Sequence, residues 1–361
     1  EGRLEVRPGW KAISWYPGET LRWIFRFLAY GAFFLFILRY LPDSAARKRL
    51  PWLLLVLGFA IALLGIVQHF RWNGKIFWLI PVYQGHPFGP WVNSNHFSGY
   101  LEMALPLGAA VLGHSSGRRR HRRQRRSRIP RLLLVVFFLA VMGVALVMAG
   151  SRGGLFSTFV VAGSYAAIHL APLGRKSRRP RLAVLLAFLP LLLVVAVGIL
   201  YTLYGGELMR PSDPEVGLEP SFSARLHAWK AIGRMVAANP LTGTGLGTFA
   251  LAFPIFKTYG DTSIWQQAHN DYLQVLAESG AIGLALLAAG VLWIAWRYVR
   301  PIFKQPMRRQ DPVTLGAAFG TAILLLHSLV DFNLQIPSNG LLFVLCAALM
   351  VRGLTPGRAG E

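Results

Sequence analysis

Residues 132–150 read LLLVVFFLAVMGVALVMAG, a continuous apolar run without a charged side chain. A helix rises 1.5 Å per residue, so about 20 such residues cross the roughly 30 Å hydrocarbon core of a bilayer. About nine segments share this apolar character and approach that length: Leu21–Tyr40, Pro51–Gln68, Phe97–Gly113, Leu132–Gly150, Leu155–Leu170, Leu182–Tyr204, Ala281–Tyr298, Val313–Val330 and Gly340–Val351. The sequence therefore predicts an all-α polytopic membrane protein with about nine transmembrane helices, because a helix in lipid satisfies its own backbone hydrogen bonds.

The composition of the 361-residue chain agrees with this class, since 54% of the residues are hydrophobic and 15% are charged. The formal net charge of +23 would indicate nucleic-acid binding in a soluble chain. Here the basic residues are concentrated in alternate loops: Arg47–Arg49, Arg118–Arg131, Arg175–Arg181 and Arg297–Arg309. This distribution is typical of cytoplasmic loops facing anionic lipid, and we expect no nucleic-acid partner.

The positive-inside rule places the basic loops in the cytoplasm and the alternating segments outside. The outer segments are then His69–His96, Gly150–Arg152, Gly205–Asn270 and Asp331–Pro337. The longest of them, Gly205–Asn270, is nearly balanced in charge, as expected of an exported segment. We therefore predict an N-terminal bundle of about six spans at 1–204, an outer loop domain at 205–270, and a C-terminal bundle of about three spans at 271–361.

Several kinds of chemistry are disfavoured by the sequence. Cys346 is the only cysteine, so disulfides and redox chemistry are not expected. The chain has no Walker-type glycine motif for ATP. His69, His86 and His96 lack the spacing of zinc ligands, and we predict no metal site.

Two arginines lie where a structural role alone does not explain them. Arg225 falls on the apolar side of a predicted helix over Ser223–Ala238. It could bind an anion, since the planar guanidinium suits phosphate. Alternatively, its charged end extends to the membrane surface or pairs with an acid such as Glu219. Arg152 lies between glycines at an outer turn, where the positive-inside rule disfavours it. It is either a functional residue or an interfacial arginine of a tight turn.

His269 precedes a predicted helix start, with Asn270 as the cap and Asp271 in the first turn. Helix N-termini attract anions and favour a neutral imidazole, which suits a base beside a phosphate. The alternative is an ordinary hydrogen-bonded or interfacial histidine. Two further pairs of candidates lie at other outer helix ends. Asn95 and His96 could line a cavity, and the alternative for Asn95 is that it caps the helix. His327 and Asp331 are one turn apart and could pair.

The spacing around His269 is specific, because His269-Asn270 is followed after nine residues by Gly280 and after two more by Gly283. With this motif the chain resembles the O-antigen ligase and polymerase family of bacterial envelope glycan enzymes. Further segments carry the resemblance: Asn93–Glu102, Gly150–Gly154, Arg225–Trp229, Asn239–Gly245 and His327–Asn333. Members of the family have about a dozen helices and a large, partly helical periplasmic loop between two late spans. We therefore expect that the first few helices are missing from this chain.

The resemblance implies an inverting transfer of a glycan from undecaprenyl pyrophosphate to an acceptor hydroxyl, as in lipopolysaccharide biosynthesis, without nucleotide sugar, metal or cofactor. In this scheme His269 is the general base, and Arg152 and Arg225 bind the pyrophosphate and stabilise its developing charge. The expected acceptor is the lipid A-core or another glycan or protein. The expected location is the bacterial inner membrane, with the active site facing the periplasm. The remaining substrate-binding candidates are Asn270, Trp229, Tyr272, Asn95 and His96, of which Trp229 and Tyr272 either stack on sugars or anchor the loop at the membrane interface.

Other functions remain open from the sequence. Within the same family, a polymerase of O-antigen or capsule and a protein O-oligosaccharyltransferase would use the same donor-binding residues. In a different class, a transporter or flippase for an anionic polyprenyl lipid would use the two arginines to bind phosphate and His269 to support a gate. The absence of an obvious inverted repeat counts against transport.

Overall fold

The computed structural model describes residues 13–40, 44–83, 85–115, 128–174, 222–258, 264–300 and 311–354. Long helices form most of these segments: α1 Pro17–Tyr40, α2 Ser44–Phe70, α3 Ser94–Ser115, α4 Arg128–Met148, α5 Arg152–Gly174, α6 Phe222–Ala238, α7 Asp271–Ile294, α8 Pro312–His327 and α9 Pro337–Leu354. Short 3₁₀ turns occur at Phe253–Phe256 and Asn333–Gln335, and a π-helical turn at Ala295–Val299. The prediction of a helical protein is confirmed.

Within the described ranges, four helices are long and apolar enough to cross a membrane: Pro17–Tyr40, Arg49–Phe70, Ile129–Met148 and Asp271–Arg297. The apolar helices Pro312–His327 and Pro337–Gly353 are shorter. This confirms a membrane protein, while the number of nine spans stays a prediction. The predicted span Leu182–Tyr204 lies outside the described residues.

A small antiparallel hairpin between α2 and α3 shows that the fold is not purely helical. Strand β1 is Lys75–Ile76 and strand β2 is Ile80–Pro81. The side chain of Gln68, at the end of α2, accepts a hydrogen bond from the N–H of Phe77 and donates one to Gly89 O, both at 2.7 Å. The run is too short and too irregular for strand periodicity to predict it from the sequence.

The described residues fall into two compact units. The first, here called the loop unit, comprises the described parts of Glu1–Ala32, Pro220–Trp293 and Ser328–Phe332. The second, here called the bundle unit, comprises the described parts of Phe33–Glu219, Ile294–His327 and Asn333–Glu361.

In the bundle unit, α3 packs against α2, α4, α5, α8 and α9. Its closest approach to α8 depends on Gly316 and Gly320, which are four residues apart and share one face. A Cβ at Gly316 would lie 2.4 Å from Pro106 O, and one at Gly320 would lie 2.8 Å from Met103 Cα. Such small residues let helix backbones approach closely. Close packing matters in lipid because the hydrophobic effect does not drive helices together there.

In the loop unit, α6 supplies one side of a core. Its buried residues follow helical spacing, at Ala228, Ala231, Ile232 and Met235, and they pack against Phe249, Phe253 and Trp265. The predicted helix Ser223–Ala238 is confirmed to within a residue. Leu226 of the same helix is 42% exposed, because the alanine side of the helix faces the core.

Helix α7 is broken at Gly280, whose φ of 64° and ψ of −168° are not helical. The segment from Asn239 to Gly245 fills the break. Pro240 O and Leu241 O accept the N–H groups of Ala281 and Ile282, at 2.8 and 3.2 Å. In return, the N–H groups of Thr244 and Gly245 donate to Ala277 O and Glu278 O, at 3.1 and 2.8 Å. The segment Asn239–Gly245 and the glycine motif after His269, which are separate in the sequence, therefore form one hydrogen-bonded structure.

Candidate functional site

His269 lies in the loop unit in an unusual backbone conformation. Its φ is 48°, a left-handed value that costs a non-glycine residue of the order of 1–3 kcal/mol. Such a conformation persists only where the surrounding structure holds it. The side chain is 9% exposed, and its ring makes edge contacts with Trp265 and Phe332, at centroid distances of 5.6 and 4.8 Å. Aromatic walls thus fix the plane of the imidazole.

The backbone just before His269 is held from both sides. The indole Nε1–H of Trp229 donates to Ala268 O at 2.9 Å. The N–H of Ala268 donates to Gln274 Oε1, also at 2.9 Å. Ala268 itself is fully buried. Because both polar groups of this residue are bonded to side chains, the turn into His269 depends on α6 and α7 together.

The N-terminus of α7 begins directly after His269, as predicted. The Oδ1 atom of Asn270 accepts the N–H of Leu273 at 3.0 Å, which is the expected cap. The Nδ2 of Asn270 donates to Leu329 O at 2.8 Å, so this side chain is bonded at both ends. The N–H of Asp271 is shared between Ser328 O and Asp331 O, at 3.0 and 3.2 Å. His269 therefore lies at the positive end of the α7 dipole.

Arg225 reaches the same segment from α6. Its Nη1 donates to Val330 O at 2.6 Å, and the side chain is half-buried. The alternative partner Glu219 lies outside the described residues. Segment 328–332 thus accepts hydrogen bonds from Arg225 and Asn270 and places Phe332 against His269. The structure brings these predicted site residues together around one short segment, and Tyr272 lies half-buried in the first turn of α7.

Arg152 belongs to the bundle unit, where it is the exposed first residue of α5. The preceding residue, Ser151, caps this helix, since its Oγ accepts the N–H of Gly154 at 3.2 Å. The Oγ of Ser151 also lies 3.4 Å from Nε2 of His327. A Cβ on Gly154 would lie 2.1 Å from Glu102 Oε1, so the glycine that follows Arg152 is needed for close packing.

Glu102 is the partner of His327, and the sequence did not indicate a role for it. The Nδ1 of His327 lies 3.1 Å from Glu102 Oε2, and both side chains are almost fully buried. The imidazole thus has a buried carboxylate partner, and the suggested pairing with Asp331 stays a prediction. Asn333 Nδ2 lies 3.2 Å from the same Nδ1. A carboxylate in the middle of an apolar run was the signal available, since such a group requires a partner within the bundle.

Asn95 and His96 lie in the first turn of α3 and are both buried. The predicted cap is two positions off: Asn93, not Asn95, caps the helix, and its Oδ1 accepts the N–H of Asn95 at 2.7 Å. The backbone oxygen of His96 accepts Asn339 Nδ2 at 2.9 Å, and the same Nδ2 bonds to Asn333 Oδ1 at 3.0 Å. These residues belong to the polar interior of the bundle unit. Within the described residues, no three His, Cys, Asp or Glu side chains form a group able to hold a metal ion.

Fold and site together define a helical membrane protein with a buried histidine at a helix N-terminus and an arginine tied to the same segment. Comparison with protein families agrees with the resemblance: residues 135–288 match the family model described as O-antigen ligase. The match includes Arg152, Arg225 and His269, and it supports the resemblance to the O-antigen ligase-like family. Proteins of this family are typically glycosyltransferase-like ligases. The match therefore supports the prediction of an enzyme that acts on a glycan donor and a glycan acceptor. No curated protein matches the chain.

Proposed function

We propose that this protein is a membrane glycosyltransferase that moves a glycan from undecaprenyl pyrophosphate to an acceptor hydroxyl, in the manner of an O-antigen ligase. The observation that carries the proposal is His269, buried between two aromatic rings in a left-handed conformation at the start of α7. A conformation of this kind persists only where the surrounding structure fixes it, and such positions are concentrated at functional sites.

In the proposed reaction, a ring nitrogen of His269 accepts the proton of the attacking hydroxyl. The acceptor oxygen forms a bond to the anomeric carbon on the face opposite the leaving group. The bond from this carbon to the phosphate oxygen breaks, and the lipid pyrophosphate leaves with the electron pair. This step inverts the anomeric configuration and requires no metal.

The arginines supply positive charge for the leaving group. Arg225 has five N–H donors, and its bond to Val330 O holds the fork in one orientation. Arg152 stands at the N-terminus of α5, where the helix dipole adds to its charge. Donors that are already oriented before the reaction stabilise developing charge without reorganisation.

The test is a transfer assay in nanodiscs with an undecaprenyl-pyrophosphate glycan and a panel of acceptors. We expect His269→Ala to lower kcat about 10²–10⁴-fold while donor binding remains, because only the proton acceptor is lost. The matched control is His227→Ala, since His227 is an exposed histidine on α6 of the same unit. Equal turnover by His269→Ala would contradict the mechanism.

The acceptor panel also separates the alternatives. Lipid A-core, free glycan and protein acceptors report a ligase, a polymerase and a protein glycosyltransferase, respectively. Arg225→Ala is expected to weaken donor binding, with Arg234→Ala as its control on the exposed side of α6. Donor binding without transfer to any acceptor would support transport of an anionic lipid instead.

We also propose that residues 205–270 face the periplasm from the bacterial inner membrane. Cys346 is buried and is the only cysteine, so Cys346→Ser gives a clean background for labelling. A cysteine introduced at the exposed Ala237 should react with a membrane-impermeant maleimide in intact spheroplasts. One introduced at Lys304, in a basic loop, should react only after lysis. The reverse pattern would overturn the orientation.

A further inference from the structure

The loop unit contains a cavity that the proposed mechanism does not use. Its volume is about 260 Å³. This is slightly below the roughly 300–1,000 Å³ of pockets for small organic ligands, so it suits one ring rather than a chain. The residues around it come from α1, the segment 247–251, the turn before His269 and α7: Glu19, Trp23, Gly247, Phe249, Ala250, Leu251, Gln266, Gln267, Gln274 and Glu278.

The buried part of the cavity wall is polar and fixed in place. Gln274 and Glu278 are 1% and 4% exposed and stand one turn apart on α7. The carboxylate of Glu278 accepts the N–H of Gly247 at 2.7 Å and that of Phe249 at 3.2 Å. Gln274 Nε2 donates to Glu278 Oε1 at 3.1 Å and also to Gln267 Oε1. The acceptor oxygens are therefore held in position before any ligand arrives.

The charge of the wall decides which ligand it suits. Among the described residues, two carboxylates and three amides line the cavity, and none of these lining residues is a lysine or an arginine. Glu19 pairs with Arg22, whose side chain is 76% exposed, so this cation is largely in solvent. The described lining residues therefore offer a pyrophosphate no positively charged partner. Carboxylate and amide groups instead match the hydroxyls of a sugar, which both donate and accept.

One wall of the cavity is aromatic. Trp23 lies so close to the loop that a Cβ on Gly247 would be 1.8 Å from its ring. Arg26 covers the Trp23 ring at 4.2 Å from the centroid, which holds the indole in one orientation. An indole with polar groups opposite it offers a sugar ring an apolar surface for its C–H groups and hydrogen bonds for its hydroxyls.

The cavity is joined to the proposed base through shared residues. Gln266 and Gln267 line it and are followed directly by Ala268 and His269. Gln274 bonds to Gln267 on the cavity side and accepts the N–H of Ala268 with its oxygen. A ligand in the cavity therefore contacts the same segment that presents the imidazole.

We propose that this cavity binds one uncharged sugar ring of the acceptor glycan. The inference rests on the proposed function, because it assigns the donor pyrophosphate to the arginines and the acceptor sugar to a cavity whose described lining residues carry no positive charge. It makes Gln267 and Glu19 specificity-determining residues for the acceptor and leaves the proton-accepting role with His269.

Direct binding is the first test, and it does not need turnover. Saturation-transfer NMR would use the His269→Ala protein in nanodiscs with methyl glycosides of glucose, galactose and N-acetylglucosamine. We expect at least one glycoside to bind, glucuronate and inorganic pyrophosphate not to displace it, and Ala250→Phe to abolish binding by filling the cavity. Ala237→Phe, at an exposed position of α6, is the matched control. Binding that survives Ala250→Phe, or displacement by pyrophosphate, overturns the proposal.

Kinetics then distinguish acceptor from donor. With the acceptor found in the transfer assay, Gln267→Ala should raise the acceptor KM about threefold to tenfold through loss of a hydrogen bond, with donor KM and kcat unchanged. A rise in donor KM would place a donor sugar in the cavity and refute the acceptor assignment. If wild-type protein transfers no glycan while a glycoside still binds, the proposed function and the acceptor assignment both fail, and only the binding of an uncharged sugar in the cavity stands.

Discussion

Trp229 offers the sharpest test of how the site is supported, because two roles for it lead to opposite results. Its indole N–H bonds to the oxygen of the buried Ala268, one residue before His269. Trp229→Phe keeps an aromatic ring but removes this donor. A buried carbonyl left without its partner costs about 1–3 kcal/mol.

This energy bears on the conformation of the next residue. His269 is held at a φ of 48°, and relaxation of its strained backbone is favoured once the Ala268 oxygen is released. If the loss of the hydrogen bond destabilises the active conformation by this full 1–3 kcal/mol, kcat drops about 5-fold to 150-fold while KM for donor and acceptor changes little. If Trp229 instead stacks on a sugar, the phenylalanine retains most of the stacking and any loss is in KM.

The assay is steady-state transfer in nanodiscs, with melting temperature measured in parallel to separate activity from folding. Trp296→Phe is the control, since the Trp296 side chain is 67% exposed. Unchanged kcat, or a change confined to KM, would refute the supporting role of Trp229.

Three further perturbations follow from named contacts. Gly243→Ala should lower Tm, because its φ is 66° and the new Cβ would lie 2.3 Å from the Glu278 backbone. Gly143→Ala should leave Tm unchanged or raise it, because no atom of the described residues lies within 4 Å of the new Cβ. Glu102→Ala should lower Tm by leaving His327 without its buried carboxylate, whereas Glu102→Gln, which keeps a hydrogen-bond partner, should cost less. Burial would raise the pKa of Asp311, but hydrogen bonds from Thr314 and the charge and hydrogen bond of Arg47 outweigh it and lower the pKa. The stabilisation is then present above the unfolded pKa of about 3.9 and lost as pH falls through the folded value, so Asp311→Asn should lower Tm at pH 7 but not near pH 2.

Each of these has an outcome that would contradict it. Equal Tm changes for the alanine variants at positions 243 and 143 would show that the loop does not pack closely at the break in α7. Equal losses for both Glu102 variants would remove the hydrogen bond to His327 from the explanation. A Tm difference for Asp311→Asn that persists at pH 2 would show that its carboxylate charge is not what stabilises the fold.

Much of the helical framework could be read from the sequence. The apolar runs predicted α1 and α4 to within four residues at each end and α2 to within seven, because a membrane span requires length and apolarity over one continuous segment. The start of α7 after Asn270 was also predictable, since capping is a local interaction between neighbouring residues. The number of spans does not follow from hydropathy alone, because polar residues buried between helices lower the hydropathy of a segment such as α3 without changing its helical state.

The sequence by itself determined the membrane class, most helix positions and the candidates His269, Arg225 and Arg152, all of which depend on local composition or on short motifs. Only the tertiary structure showed that Trp229 bonds to the residue before His269, that Asn239–Gly245 fills the break at Gly280, and that Glu102 bonds to His327 from 225 positions away. The physical reason is that hydrogen bonds between distant segments leave no periodic signal in the chain. Burial forces each polar group to find a partner, and the three-dimensional fold decides which partner is within reach.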